Sequence, residues 1–410
     1  MGRKAVGERL SAAELLALVV DDASFEPWFD DLLPVDPLGF TDTMPYVDRL
    51  ARAAERAGTT ESVIVGRARV RGHDLVVIAG EFAFLAGTMS VSSAERVVRA
   101  FERATDLALP VLGLPVSGGT RMQEGTPAFV QMVKTAAAAR QLREAGLPYL
   151  AYLRHPTTGG VLGSWASLAH LTFAEPRALI GLTGPRVIEL LEGQPLPEGI
   201  QVAEHLAGHG IIDDVVAAED LAERVDRALA VLRGAIQASG FNEPPLALPD
   251  DATIDPWEAV GRSRRTDRPG IRELLAVCAQ QVTPLRGDGA GNDDPGCTTA
   301  LARVCGVPVV LVGHDRPSGQ RGSRLGAAGF RKARRAMALA AELELPLVTI
   351  IDTAGARSTS ADEEHGVARE IAGCLATMSG LEVPTLSLLL GEGTGGGALA
   401  FLPADRVVAA

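Results

Sequence analysis

Polar positions alternate with apolar ones toward the end of ESVIVGRARV (residues 61–70), a turn follows near Gly72, and HDLVVIAG (residues 73–80) continues as an apolar run. Two such runs either side of a glycine turn predict a β-hairpin over 62–79. Residues 109–116 (LPVLGLPV) form a short apolar run, the mark of a buried strand. Residues 126–144 change to helical spacing, with Phe129, Met132, Val133 and Ala136 on one face. A helix is predicted over 91–106, with Ser92 or Ser93 as its cap and Glu95 near its start. Further strands are predicted at 148–154, 171–175, 178–183 and 211–216, with helices over 160–170, from Pro185, and over 221–237. Ahead of the hairpin, residues 11–58 predict two helices around a proline-containing connector at 25–45. Residues 81–90 (EFAFLAGTMS) predict a loop lining a cleft. Strands alternating with helices give an α/β fold class.

The pattern occurs twice. Pro110, Gly119, Arg121, Pro148, Gly159 and Gly160 are each followed 236 positions later by Pro346, Gly355, Arg357, Pro384, Gly395 and Gly396. Upstream, GHDLVV from Gly72 aligns with GVPVVL from Gly306 at an offset of 234. One glycine-rich turn can recur by chance, but these intervals hold over about 50 residues. Two tandem copies of one domain are the reading; the alternative is two unrelated α/β domains with ordinary strand-to-helix glycines. The second copy predicts a helix over 327–344, a strand over 347–352 and a helix over 363–379. By the offset Ala409 matches Phe173, so the second copy is expected to be incomplete at its C-terminus. The expected domains are a helical segment over 1–60, a first copy over 61–237, a linker over 238–270 whose first part is rich in Pro and Asp, and a second copy over 271–410.

Each copy offers two glycine-rich turns after a strand. In the first these are Gly118-Gly119-Thr120-Arg121 and Gly159-Gly160; in the second they are Gly355-Ala356-Arg357 and Gly395-Gly396. Glycine leaves backbone N–H groups uncovered, and such donors can hold an oxygen that becomes negative during a reaction. Two donors from separate turns could pinch one carbonyl oxygen, and two copies would then bind two carbonyls. Arg121 and Arg357 are candidates to bind a substrate phosphate or carboxylate, or to clamp the turn by a salt bridge. Glu124 and Asp352 suit capping better than acid–base work. Met122 and Met132 are read as core.

Other chemistry is weakly encoded. No G-x-S-x-G elbow occurs, and His205 and His209 lack the intervening pattern of a zinc helix. The cysteines at 278, 297, 305 and 374 form no CxxC pair, so no metal is expected, and they fit a reducing cytoplasm. Apolar residues make up 47% and charged residues 22%, which is globular, and a net charge of −12 argues against a nucleic-acid surface. The longest early apolar run, residues 15–20, is far below a membrane span. Gly2 has Val6 where a myristoylation motif needs Ser or Thr.

At these motifs the chain resembles the carboxyltransferase component of bacterial acetyl-CoA carboxylase. SFEPWFDDLLPVDPLGF, SGGTRMQEG, HPTTGGV and AEPRALIGLTGPRVIE are similar to its β subunit. GFRKARRAMALAAELELPLVTIIDTAGAR, ADEEHGVAREIA and GEGTGGGALA are similar to its α subunit. The family's FMGGSMG loop reads FLAGTMS here, its IDTPGAY reads IDTAGAR, and the β-type zinc ribbon is absent. The resemblance implies two crotonase-like ββα superhelix domains in tandem. It implies transfer of a carboxyl group from carboxybiotin to acetyl-CoA or a related acyl-CoA, giving a malonyl-CoA-type product. It places the acyl thioester oxygen with Gly119, Thr120 and Gly160, and the biotin ureido oxygen with Gly355, Ala356 and Gly396. Gly118, Arg121, Gly159, Arg357 and Gly395 are the expected surrounding binding residues. Biotin carboxyl carrier protein and biotin carboxylase are expected as separate partner chains, and a homodimer or larger assembly as the active form. The alternatives are a biotin-independent malonyl-thioester decarboxylase and a non-catalytic partner subunit.

Overall fold

In the computed structural model, which describes residues 9–234, 255–316 and 323–410, the first sheet is built outward from the expected hairpin. Its strands are β1 (Glu26–Trp28), β2 (Val63–Val70), β3 (His73–Gly80), β4 (Val111–Leu114), β5 (Tyr149–Leu153), β7 (Leu171–Ala174) and β9 (Asp214–Val215), side by side in that order. A separate ladder pairs β6 (Thr157–Thr158) with β8 (Ile180–Gly181). β1, β2 and β3 are antiparallel, and from β3 onward every neighbour is parallel. Arg71 and Gly72 turn the hairpin at φ 46° and 84°, and the Asp21 carboxylate accepts both their amides. Positive φ at two successive positions matches the right-handed twist of the flanking strands. One face is sealed by Val97, Phe101 and Ala104 of the helix Val91–Asp106. Phe101 stands edge-on to Tyr149 with ring centroids 5.1 Å apart.

The second sheet runs β10 (Ala279–Pro284), β11 (Cys297–Val304), β12 (Val307–His314), β13 (Leu347–Thr353), β14 (Thr385–Gly393) and β15 (Arg406–Ala409). Its first three strands are antiparallel and the rest are parallel, as in the first sheet. The repeat is visible strand by strand. β2 and β3 shifted by 234 give the bounds of β11 and β12, and the helix Val91–Asp106 shifted by 236 gives Ala327–Glu342. Register repeats as well: Val76 faces Val111, which faces Tyr149, while Val310 faces Leu347, which faces Thr385. The offset falls to 235 at the last strand, since β7 starts at Leu171 and β15 at Arg406.

The chain divides into one unit of Met1–Gly208 with Ile212–Asp226 and another of His209–Ile211 with Arg227–Ala410. The division falls inside the helix Leu221–Leu232 rather than in the expected linker, whose residues 238–254 lie outside the described ones, as do 235–237 of the expected helix and the N-terminal Gly2. The physical reason is that Ala230 accepts two guanidinium N–H bonds from Arg303 of the second sheet. The remaining linker residues are ordered too. The helix Pro256–Ser263 leads to Arg268, which binds both oxygens of buried Asp352, and Arg316 binds the same carboxylate at 3.2 Å. Asp352 is therefore held in a buried ion cluster.

Other expectations shift for local reasons. The 1–60 segment contains β1 between its helices Ala12–Val19 and Tyr46–Ala57, so it belongs to the first sheet. Ser90, with Ser93 as its reciprocal partner, caps the helix at Val91. The expected helix over 160–170 is only a turn followed by one short 3₁₀ segment, Trp165–Ser167. The helix expected over 363–379 breaks into Ser360–Glu364 and Val367–Ser379 at Gly366, whose φ is 71°.

Candidate active site

In the first unit, the turn after β4 touches the turn after β6. A Cβ placed on Gly159 would lie 2.9 Å from the Gly119 Cα, so the approach is open only to glycine. Gly119 and Gly159 have φ of 123° and 68°, conformations that side chains resist. The Ser117 carbonyl ties the turns together by accepting the Thr158 amide and hydroxyl, each at 3.0 Å.

The amides of these turns fall into two sets. The Gly118 N–H donates to Ala86 O, the Gly159 N–H to Leu182 O, and the Gly119 N–H to the Ser117 hydroxyl at 3.0 Å. Gly119 is thus corrected as an oxyanion donor: its hydrogen already has an acceptor two residues upstream. The amides of Thr120 and Gly160 have no acceptor among the described residues, and both residues are half-buried. They remain as a pair of donors from two turns in contact.

The second unit repeats this arrangement. The Gly355 N–H donates to the Thr353 hydroxyl at 3.1 Å, matching Ser117 and Gly119, so Gly355 is corrected in the same way. Gly355 and Gly395 have φ of 117° and 61°. The amides of Ala356 and Gly396 have no acceptor among the described residues. A Cβ on Gly397 would sit 3.0 Å from the Ala356 nitrogen, so the third glycine of this run is what lets the turns close. The repeat of 236 did not single out Gly397, because the first copy has Val161 there.

Each turn is clamped by its arginine. Arg121 is fully buried and donates to Glu61 Oε1 at 2.7 Å, Tyr46 Oη at 2.9 Å, Thr88 Oγ1 at 2.8 Å and Thr88 O at 2.7 Å. Tyr46 in turn donates to Glu124 Oε1, and Glu124 Oε2 accepts the Val91 amide at the start of its helix. With its guanidinium wholly excluded from solvent and its charge set against Glu61 and Glu124, Arg121 is corrected from its expected binding role to a clamp. Arg357 pairs with Asp362 at 2.9 Å and Asp294 at 3.4 Å, a clamp exposed on one side. Met122 is corrected from core to surface, being 77% exposed.

Burial alone would raise the Glu61 carboxyl. The Arg121 charge and hydrogen bonds from Ser92, Arg121 and the Ser62 amide outweigh that, leaving it below its ordinary value. A carboxyl depressed on folding stabilises the protein above its unfolded pKa, and that stability is lost as pH falls through the folded value. Acid unfolding of wild type should therefore steepen below about pH 4.5. Glu61→Gln should flatten the dependence in that window, read by circular dichroism across a pH series; an unchanged slope would remove Glu61 from the clamp.

Among the described residues no cluster of His, Cys, Asp or Glu could hold a metal ion, and no helix is long and apolar enough to cross a membrane.

The model of the carboxyl transferase domain matches residues 35–409. The chain is 51% identical over 404 residues to a probable biotin-dependent acyl-coenzyme A carboxylase beta3 subunit of Mycobacterium tuberculosis (strain ATCC 25618 / H37Rv), covering 98% of this chain and 79% of that one. It is 38% identical over 435 residues to the acetyl-coenzyme A carboxylase carboxyl transferase subunits beta/alpha of Parafrankia sp. (strain EAN1pec), covering 98% and 70%. Among solved structures, transcarboxylase 12S, a hexamer with methylmalonyl-coenzyme A and methylmalonic acid bound, matches with a TM-score of 0.76 at 23% identity, covering 98% of this chain and 76% of that one. That likeness shows the fold: tandem crotonase-like units.

Proposed function

The chain belongs to the carboxyl transferase domain family, and from that premise we propose that each of its two amide pairs steadies one of the two oxygens that become negative during carboxyl transfer. The reaction is biotin-dependent carboxyl transfer to an acyl-CoA, and acetyl-CoA or a close relative is the acceptor we assign. Carboxybiotin on a partner carrier supplies the carboxyl group and, once that group is lost, a basic nitrogen. Everything else is positioning by this chain.

In the first unit the Thr120 and Gly160 amides hold the thioester oxygen as the acyl α-carbon gives up its proton and the enolate forms. Donors already aimed at the developing charge need no reorganisation during the reaction, which is why such pairs carry much of the barrier reduction. In the second unit the Ala356 and Gly396 amides hold the ureido oxygen of biotin. The thioester oxygen and the ureido oxygen are each neutral at first and negative as the reaction proceeds, so bare N–H donors suit both. The single observation that carries this reading is the repeated pattern: in each unit the two adjoining glycine turns leave an amide unbonded at matching positions, Thr120 with Gly160 and Ala356 with Gly396, while a hydroxyl two residues upstream occupies the neighbouring glycine N–H. Biotin carboxylase and a biotin carboxyl carrier protein are the partners this chemistry requires, with the chain acting in a dimer or larger assembly in the cytoplasm.

The test is malonyl-CoA-dependent carboxylation of free biotin by the folded chain. Carboxybiotin formation with matching loss of malonyl-CoA is expected. Release of CO2 at the same rate with and without biotin would instead make the protein a decarboxylase, and no turnover by folded, assembled protein would overturn the catalytic reading.

A further inference from the structure

The helix Thr126–Glu144 buries one face through Ala128, Gln131, Thr135, Ala138, Ala139 and Leu142. Met132 sits at the edge of that face, four residues after Ala128 and three before Thr135, while Phe129 and Val133 are 56% and 73% exposed. The residue is half-buried rather than enclosed in the core. Its side chain lies over Gly160 instead: a Cβ at Gly160 would meet the Met132 Sδ at 2.2 Å and Cγ at 3.0 Å. The Thr120 Oγ1 is 3.4 Å from the same point. Met132 and Thr120 thus flank the bare Cα of Gly160, beside the two unbonded amides. Met132 is half-buried, with one side against the turn and the other open.

Resting on the carboxyltransferase reading above, we propose that Met132 is the wall that limits the acyl chain of the CoA thioester, making this pocket selective for a two-carbon acyl group. An oxygen held by the Thr120 and Gly160 amides places the acyl carbons immediately beside them. Any carbon beyond the α position then extends toward the surface that Met132 covers. The thioether is apolar and unbranched, so it excludes extra methylenes by occupancy without offering a polar partner. An apolar wall of this kind discriminates one methylene by roughly 10- to 200-fold. The second unit has an equivalent wall, since a Cβ on Gly396 would meet Ile371 Cδ1 and Cγ2 at 3.4 Å. By the same reading Ile371 borders the biotin pocket and has no part in acyl choice.

Calorimetric titration of the full chain with acetyl-CoA and with butyryl-CoA tests this without turnover, and kcat/KM for carboxylation of each follows in parallel. Met132→Ala should shift the butyryl-to-acetyl preference at least about tenfold in both readouts. Ile371→Ala should leave that ratio where it is. A ratio unmoved by Met132→Ala, or moved by Ile371→Ala alone, overturns the proposal even if carboxyl transfer is intact. A shifted binding ratio with no carboxylation by any variant would instead uphold the wall and overturn the proposed reaction. Wild type binding neither thioester would overturn both.

Discussion

Gly159→Ala lowers kcat for carboxyl transfer by roughly 10²- to 10³-fold, the scale of removing one oxyanion donor. The new Cβ would lie 2.9 Å from the Gly119 Cα, a backbone atom that cannot swing aside. One turn must retreat from the other, which parts the Thr120 and Gly160 amides that the proposed pocket needs side by side. Holding a non-glycine residue at φ 68° adds about 1–3 kcal/mol of strain. Against a domain stability of about 5–15 kcal/mol, that cost leaves most molecules folded, so unfolding cannot supply a hundredfold loss. Gly72→Ala is the matched control. Its φ is 84°, but nothing lies within 4 Å of the added carbon. It should cost comparable stability in a thermal melt and leave kcat within about twofold of wild type. Equal losses of kcat in the two variants would show that the damage is general strain.

Arg121→Met should destabilise the first unit by about 3–5 kcal/mol, because it leaves the Glu61 carboxylate buried without its counter-charge. At about 2–4 °C per kcal/mol for a unit of this size, the midpoint should fall by roughly 6–20 °C. The loss is larger than for a surface pair because both side chains are fully excluded from water. Adding Glu61→Leu to Arg121→Met removes the orphaned charge and should recover part of the loss, giving a clear coupling energy in a double-mutant cycle. A midpoint within about 2 °C of wild type for Arg121→Met would mean that water reaches Glu61 and that the clamp is weaker than its geometry implies.

The repeat was legible because strand length, strand spacing and glycine position are local properties of the chain. Positive φ at Gly119, Gly159, Gly355 and Gly395 follows from residues that can be read two at a time. The loss of the Gly119 and Gly355 amides had a signal as well, since Ser117 and Thr353 each stand two residues upstream, where a hydroxyl can fold back onto the chain. The partners of Arg121 had none: Glu61 and Tyr46 are 60 and 75 residues away, and nothing local marks them as its contacts. β1 was missed because EPW is only three residues long and contains a proline, tolerable on a sheet edge but a weak strand signal. The helix over 160–170 failed because Gly163 and the polar residues around it favour turns, while the apolar Val161, Trp165 and Ala166 serve the core without helical continuity. Met132 was read as core since helical spacing does not say where the buried face ends, and Met132 lies at its edge, one turn from Ala128 and Thr135.

The most direct measurement replaces Gly160 with glycolate by nonsense suppression, which exchanges the backbone N–H for an ester oxygen and leaves the turn without any new side chain. With Gly160 as an oxyanion donor, kcat for malonyl-CoA-dependent biotin carboxylation should fall by roughly 10²- to 10³-fold while the thermal midpoint stays near that of wild type. A kcat within about threefold of wild type would contradict the account, because the thioester oxygen would then be held elsewhere.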